Sequence, residues 1–230
     1  MRAVVALLLF AMLAPPAIAA DGKALYAVNC SRCHGSLGKG LADQGPSLTH
    51  AGAGTADFYL RTGYMPLASP RDQPSRTRVS FTEAQIQALV GYVSSIGHGP
   101  AIPTPQWQSA SVAAGQKLFA DNCAGCHQIA ARGGVVTGAR VPPLDRSTPR
   151  QIAEAIRIGP YLMPRFSQKA LTAPQVNDIV AYVRYTDHPA SPGGWSIGRL
   201  GPWPEGLVSW LLAAATLVAL CCAFSRRART

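Results

Sequence analysis

Apolar positions along this chain fall into two long runs at its ends and, between them, into two sets of helically spaced segments that repeat each other. Gly22-Lys23-Ala24-Leu25-Tyr26-Ala27-Val28-Asn29-Cys30 matches Gly115-Gln116-Lys117-Leu118-Phe119-Ala120-Asp121-Asn122-Cys123, and the shared spacing predicts a helix leading into each cysteine. A second pair runs from Thr82-Glu83-Ala84-Gln85-Ile86 to Val93 and from Thr172-Ala173-Pro174-Gln175-Val176 to Val183. Each opens at a threonine able to cap a helix, and Pro174 falls in the first turn, where proline is tolerated. The pattern predicts an all-α chain of two small units, residues 21–98 and 113–188, each built as helix, irregular loops, helix. Between them lies a linker over 99–112, which Pro100, Pro103 and Pro105 make semi-stiff.

The terminal runs differ in kind. Met1-Arg2 is followed by apolar Ala3 to Leu13, then Pro15-Pro16 and Ala17-Ile18-Ala19-Ala20, the pattern of a secretory signal over residues 1–20. Its apolar core is about half the ~20 residues that a spanning helix needs. Leu207 to Phe224 is uncharged and nearly all apolar, long enough for about 27 Å of helix. This predicts a transmembrane helix over 207–224, preceded by a juxtamembrane linker over 189–206 and followed by a basic tail over 225–230. Arg226, Arg227 and Arg229 place that tail in the cytoplasm and the folded units outside the plasma membrane, with Trp203 and Trp210 near the outer interface.

The net charge of +10 on 230 residues raises the possibility of a nucleic-acid partner, but its distribution argues against one. Residues 21–98 hold seven basic and five acidic side chains, and residues 113–188 hold nine and five, with no dense run in either.

Four of the six cysteines form two C-x-x-C-H motifs, Cys30-Ser31-Arg32-Cys33-His34 and Cys123-Ala124-Gly125-Cys126-His127. At that spacing two thiols reach the two vinyl groups of a haem while the next histidine reaches its iron, so the sequence predicts two covalently bound haems c. A four-cysteine zinc site would need knuckles from neighbouring segments, and a thioredoxin-like pair would need a βαβ context. Cys221 and Cys222 lie in the apolar run and read as small apolar fillers.

Once Met1 and Met12 leave with the signal, Met65 and Met163 are the remaining methionines, one per unit, each followed by proline and each between the haem motif and the last helix. Their matched placement predicts thioether ligation opposite His34 and His127, a pairing that raises the reduction potential; the other reading is methionine as core filler. His50, His98 and His188 compete as ligands. His98 and His188 correspond to each other just past the final helices, and His50 has no counterpart.

With these motifs in place, each unit resembles a class I cytochrome c domain: C-x-x-C-H, a proline-leucine loop, Met-Pro and an aromatic-bearing terminal helix. That resemblance implies that Pro46, in Gly45-Pro46-Ser47-Leu48, and Pro142, in Val141-Pro142-Pro143-Leu144, offer carbonyls to the second ring nitrogen of His34 and His127, with Pro143 an alternative to Pro142. The whole chain resembles the dihaem cytochrome c subunit of the actinobacterial-type menaquinol:cytochrome c oxidoreductase, the cytochrome bcc complex. The resemblance rests on Met65-Pro66-Leu67-Ala68 with Gln73-Pro74, Arg157-Ile158-Gly159-Pro160, and Gly193-Gly194-Trp195 through Gly201-Pro202-Trp203-Pro204-Glu205-Gly206 before one anchor.

The family implies an electron carrier with cytochrome b and Rieske iron-sulfur subunits as partners. It relays electrons through two haems to the copper centre of an aa-type cytochrome c oxidase, as part of a respiratory reductase. Three other readings remain at this stage: a dihaem subunit of another oxidase or dehydrogenase, a dihaem peroxidase with an open iron site, and a thiol or metal module without haem.

Overall fold

The computed structural model describes residues 20–189 and 203–227. The export segment predicted over 1–20 lies almost wholly outside these residues, as do most of the linker over 189–206 and residues 228–230 of the tail.

The predicted helices form where their caps stand. Helix α1, Gly22–Asn29, starts at Asp21, whose carboxylate accepts from Lys23 N at 2.9 Å and Ala24 N at 3.3 Å. The single turn α2, Ser31–His34, follows at once. Helix α4, Glu83–Ile96, opens on a reciprocal cap in which Gln85 N donates to Thr82 Oγ1 and Thr82 N to Gln85 Oε1. The second unit repeats this with α5, Val112–Asn122, the turn α6, Ala124–His127, and α8, Ala173–Asp187, where Thr172 and Gln175 form the same box.

The loops hold more order than the sequence reading gave them. Each unit carries a middle helix, α3 over Ala53–Arg61 and α7 over Pro149–Ile158. In the second unit a short antiparallel ribbon, β1 Gly134–Val136 with β2 Ala139–Val141, adds a small strand element to an otherwise helical fold.

First and last helices cross in each unit, α1 on α4 and α5 on α8. The opening glycine of each repeat makes this possible: a Cβ on Gly22 would collide with Ala88 O, and one on Gly115 with Asp178 O. Beside each crossing an aromatic pair packs, Tyr26 with Tyr92 at 5.0 Å and Phe119 with Tyr182 at 5.3 Å between ring centroids. One hydroxyl of each pair ties down the loop after the haem motif, Tyr26 to Gly35 O at 2.8 Å and Tyr182 to Ile129 O at 2.7 Å. The donor sits on the first helix in one unit and on the last in the other. Around these pairs two apolar cores form, one on Leu60, Ile86, Leu89 and Val93, the other on Ile152, Ile156, Ile179 and Val183. Each such side chain contributes about 1.5–3 kcal/mol by leaving water.

The two cores lie within one compact body that ends at His188. Helices α3 and α7 pack against each other. The proline-bearing connection is pinned to both sides: Gly54 N donates to Pro100 O at 2.9 Å and Ile102 packs on the first core, while Gln106 N donates to Asn177 Oδ1 at 3.0 Å and Trp107 packs on the second. A separate unit carries α9, Trp203–Arg227, whose stretch Gly206–Arg227 reaches a mean hydropathy of 2.3 over an 18-residue window and is long and apolar enough to cross a membrane.

Candidate functional site

Both haem motifs take the same backbone form. In α2 and the residue before it, Cys33 N and His34 N donate to Cys30 O at 3.1 and 2.9 Å; in α6, Cys126 N and His127 N donate to Cys123 O at the same distances. One tight turn therefore brings both thiols and the histidine together.

Each motif opens on its own pocket. The first is lined by Cys30, Cys33, His34 and Pro46 together with Met65, Pro66, Leu67 and Phe81. The second is lined by Cys123, Cys126, His127 and Pro142 together with Met163, Pro164, Phe166 and Val183. His34 Nδ1 lies 2.8 Å from Pro46 O, and His127 Nδ1 lies 3.2 Å from Pro142 O. Among the described residues Nε2 of neither ring has a protein partner. His50, His98 and His188 are exposed and line neither pocket.

The electrostatics oppose a reactive-thiol reading. Burial pushes the Cys30 and Cys123 thiols up to about 11 each, whereas nucleophilic and redox-active cysteines need a lowered value. Burial also holds His127 below the usual imidazole value, against the opposing pull of its bond to Pro142. Among the described residues no three His, Cys, Asp or Glu side chains gather as ligands for a metal ion, so the two cysteine pairs do not build one zinc site.

Several supporting residues carry no motif. Arg157 Nη1 donates to Phe166 O, Ser167 O and Leu171 O at 3.3, 3.1 and 2.7 Å, clamping the chain just after Met163. Its counterpart Arg61 instead bridges Asp57 and Glu83 at 2.6–2.7 Å. The second pocket also has walls from the first half of the chain, Phe58, Tyr64, Gln73 and Arg76. Arg76 Nη2 reaches Gln151 Oε1 at 3.1 Å. Arg157 and Gln73 stand in stretches that carry the resemblance, Arg157-Ile158-Gly159-Pro160 and Gln73-Pro74, while nothing local in the sequence marks Phe58, Tyr64 or Arg76.

Comparison with known proteins agrees with the repeat. Residues 19–97 match the Cytochrome c family, and residues 110–183 match the family described as Cytochrome C oxidase, cbb3-type, subunit III. The cytochrome bc1 complex cytochrome c subunit of Corynebacterium diphtheriae is 37% identical over 221 residues, spanning 88% of this chain and 79% of that protein. The subunit of the same name from Mycobacterium bovis is 35% identical over 213 residues, covering 89% and 76%. This chain belongs to the family of cytochrome bc1 complex cytochrome c subunits.

It therefore carries two cytochrome c domains and serves in electron transfer, with a C-terminal helix suited to a single-pass anchor. Cytochrome c domains imply covalently bound haem c. The pockets fit that group: each offers two thiols one turn apart, an imidazole whose Nδ1 is already engaged and a methionine thioether; the second is lined mostly by apolar side chains, while the first also carries Arg32, Asp43 and Gln44.

Proposed function

We propose that this chain is the two-haem electron carrier of a quinol:cytochrome c reductase, taking electrons from a Rieske iron-sulfur subunit and delivering them to the copper centre of an aa-type oxidase. The observation that carries the reading is the pairing in each pocket of one C-x-x-C-H turn with one methionine and one engaged imidazole. Cys30 and Cys33 would hold one haem and Cys123 and Cys126 the other. His34 with Met65, and His127 with Met163, would ligate the irons. When bound, the haems would supply the one-electron chemistry, with no coordination position left for a substrate.

The protein's share is placement. The carbonyls of Pro46 and Pro142 accept the Nδ1 protons of His34 and His127, which fixes each ring and raises the basicity of Nε2. In the second pocket the apolar wall of Ile152, Ile156, Phe166 and Val183 would keep water from the haem and so favour its less charged reduced state. We assign the domains to residues 21–98 and 113–188, each holding one haem. Arg226 and Arg227 orient the anchor with its C-terminus in the cytoplasm and the haem domains on the outer face. The relatives are named as subunits of a cytochrome bc1 complex, which supports cytochrome b and a Rieske protein as the partners there.

A second reading, an oxidase subunit, has support in the match of residues 110–183 and in a 38% identical stretch of the CcoP subunit of a cbb3-type oxidase from Rhodobacter capsulatus. That stretch spans 35% of this chain, whereas the bc1 relatives span nearly nine-tenths. Gentle extraction from native membranes separates the two: cytochrome b and a Rieske protein in fixed ratio support the reductase, and recovery alone or with an oxidase core lacking both contradicts it.

A further inference from the structure

Tyr64 and Met65 are neighbours in sequence but line different pockets. Tyr64 forms part of the wall around Cys126 and Met163, while Met65 faces Cys30 and His34. One peptide unit thus connects a side chain in each haem site. Tyr59, five residues earlier on α3, touches both methionine loops. Its carbonyl accepts from Tyr64 N at 3.0 Å and Met65 N at 3.2 Å, and its hydroxyl accepts from Tyr161 N at 3.3 Å, two residues before Met163. Phe58, Tyr59 and Tyr64 pack edge to face with centroids 5.5–6.0 Å apart, which closes the space between the loops.

Resting on the two-haem reading above, we propose that Tyr64 and Met65 form the crossing for electrons between the two haems, and that Tyr59 is the positioning residue that holds both methionine loops to it. Electron tunnelling falls off fastest through empty space and least along covalent bonds and packed atoms. The Tyr64–Met65 backbone with its aromatic neighbours supplies such a continuous path. In one transfer a single electron leaves the ferrous iron of one haem and reduces the ferric iron of the other; no bond forms or breaks.

The test uses the full-length, haem-loaded chain in detergent, with one haem reduced by a pulse and equilibration between haems followed optically. Tyr64→Leu is expected to slow that equilibration at least tenfold while haem content and the thioether-to-iron charge-transfer band stay at the wild-type level. Tyr59→Phe keeps the ring and removes only the acceptor of Tyr161 N–H, so it remains informative whether or not the leucine variant folds. It is expected to shift the midpoint potential of the haem whose potential also moves in Met163→His, and to leave the other unchanged. An unchanged interhaem rate in haem-replete Tyr64→Leu, or unchanged potentials in Tyr59→Phe, overturns the proposal. A wild-type chain with one haem, or without the thioether band, overturns the two-haem reading itself, and with it this path.

Discussion

Asp57 on α3 and Glu154 on α7 lie close enough to share a hydrogen bond across the junction of the two cytochrome c domains, 2% and 0% exposed to solvent. Arg61 engages one Asp57 oxygen at 2.7 Å, but among the described residues the other, and both Glu154 oxygens, find no donor. Two ionised carboxylates could not bond each other. One proton on Glu154 turns the pair into donor and acceptor, and burial together with the Asp57 charge pushes the Glu154 carboxyl well above the usual range, against Arg150 and Arg61.

The stability consequence has a definite sign. A carboxyl raised in the folded state favours folding fully below its unfolded value of about 4.3, and that contribution is lost as pH rises through the raised value. Melting of the full chain in detergent should therefore fall between pH 5 and pH 9. Glu154→Gln, whose amide donates to Asp57 at any pH, should flatten the decline and stabilise the alkaline end by about 1–3 kcal/mol. A slope equal to the wild type's would show that the pair does not share a proton.

Gly115→Ala places a methyl group against the Asp178 carbonyl where α5 and α8 cross. Forcing the helices apart should cost about 1–3 kcal/mol and lower the melting temperature by several degrees. Gly91→Ala, on the α4 face where nothing lies within 4 Å, should leave it unchanged or slightly raised.

Arg157 holds the second methionine loop through three carbonyls, while Arg61 makes no such contact with the first. In Arg157→Gln the thioether band of one haem should vanish at a lower temperature than in the wild type, and the band of the other should persist. Loss of both bands together would mean that the clamp acts on the whole fold.

Met65→Leu and Met163→Leu should each remove half of the thioether band and lower one midpoint potential of two, since methionine opposite histidine raises it. Optical redox titration reads both effects. A titration with unchanged potentials in either variant would assign that methionine to the core.

The repeat was legible because its apolar spacing and cap residues are local: Thr82 with Gln85 and Thr172 with Gln175 lie three positions apart. The C-x-x-C-H motifs are local in the same way, whereas Met65 and Met163 stood out only as one matched copy in each unit, far along the chain from the motif whose pocket they line. The middle helices were missed because each is short, nine and ten residues, and mixes polar side chains into its buried face, Asp57 in α3 and Gln151 and Glu154 in α7. The ribbon of Val135 and Arg140 is too short to show alternation. Contacts across the junction, Tyr59 with Tyr161 and Asp57 with Glu154, join positions about a hundred residues apart and leave no period in the sequence. Gly22 and Gly115 were visible as a match, but only the crossing of the helices shows why neither carries a side chain.

The central claim is two haems held by two cysteine pairs, and the most direct test is the mass and haem content of the denatured chain purified from its native membrane. The account predicts two haem groups retained covalently, falling to one when Cys123 and Cys126 are both replaced by alanine and equally to one when Cys30 and Cys33 are. A wild-type chain that retains a single haem, or releases all of it on denaturation, would contradict it.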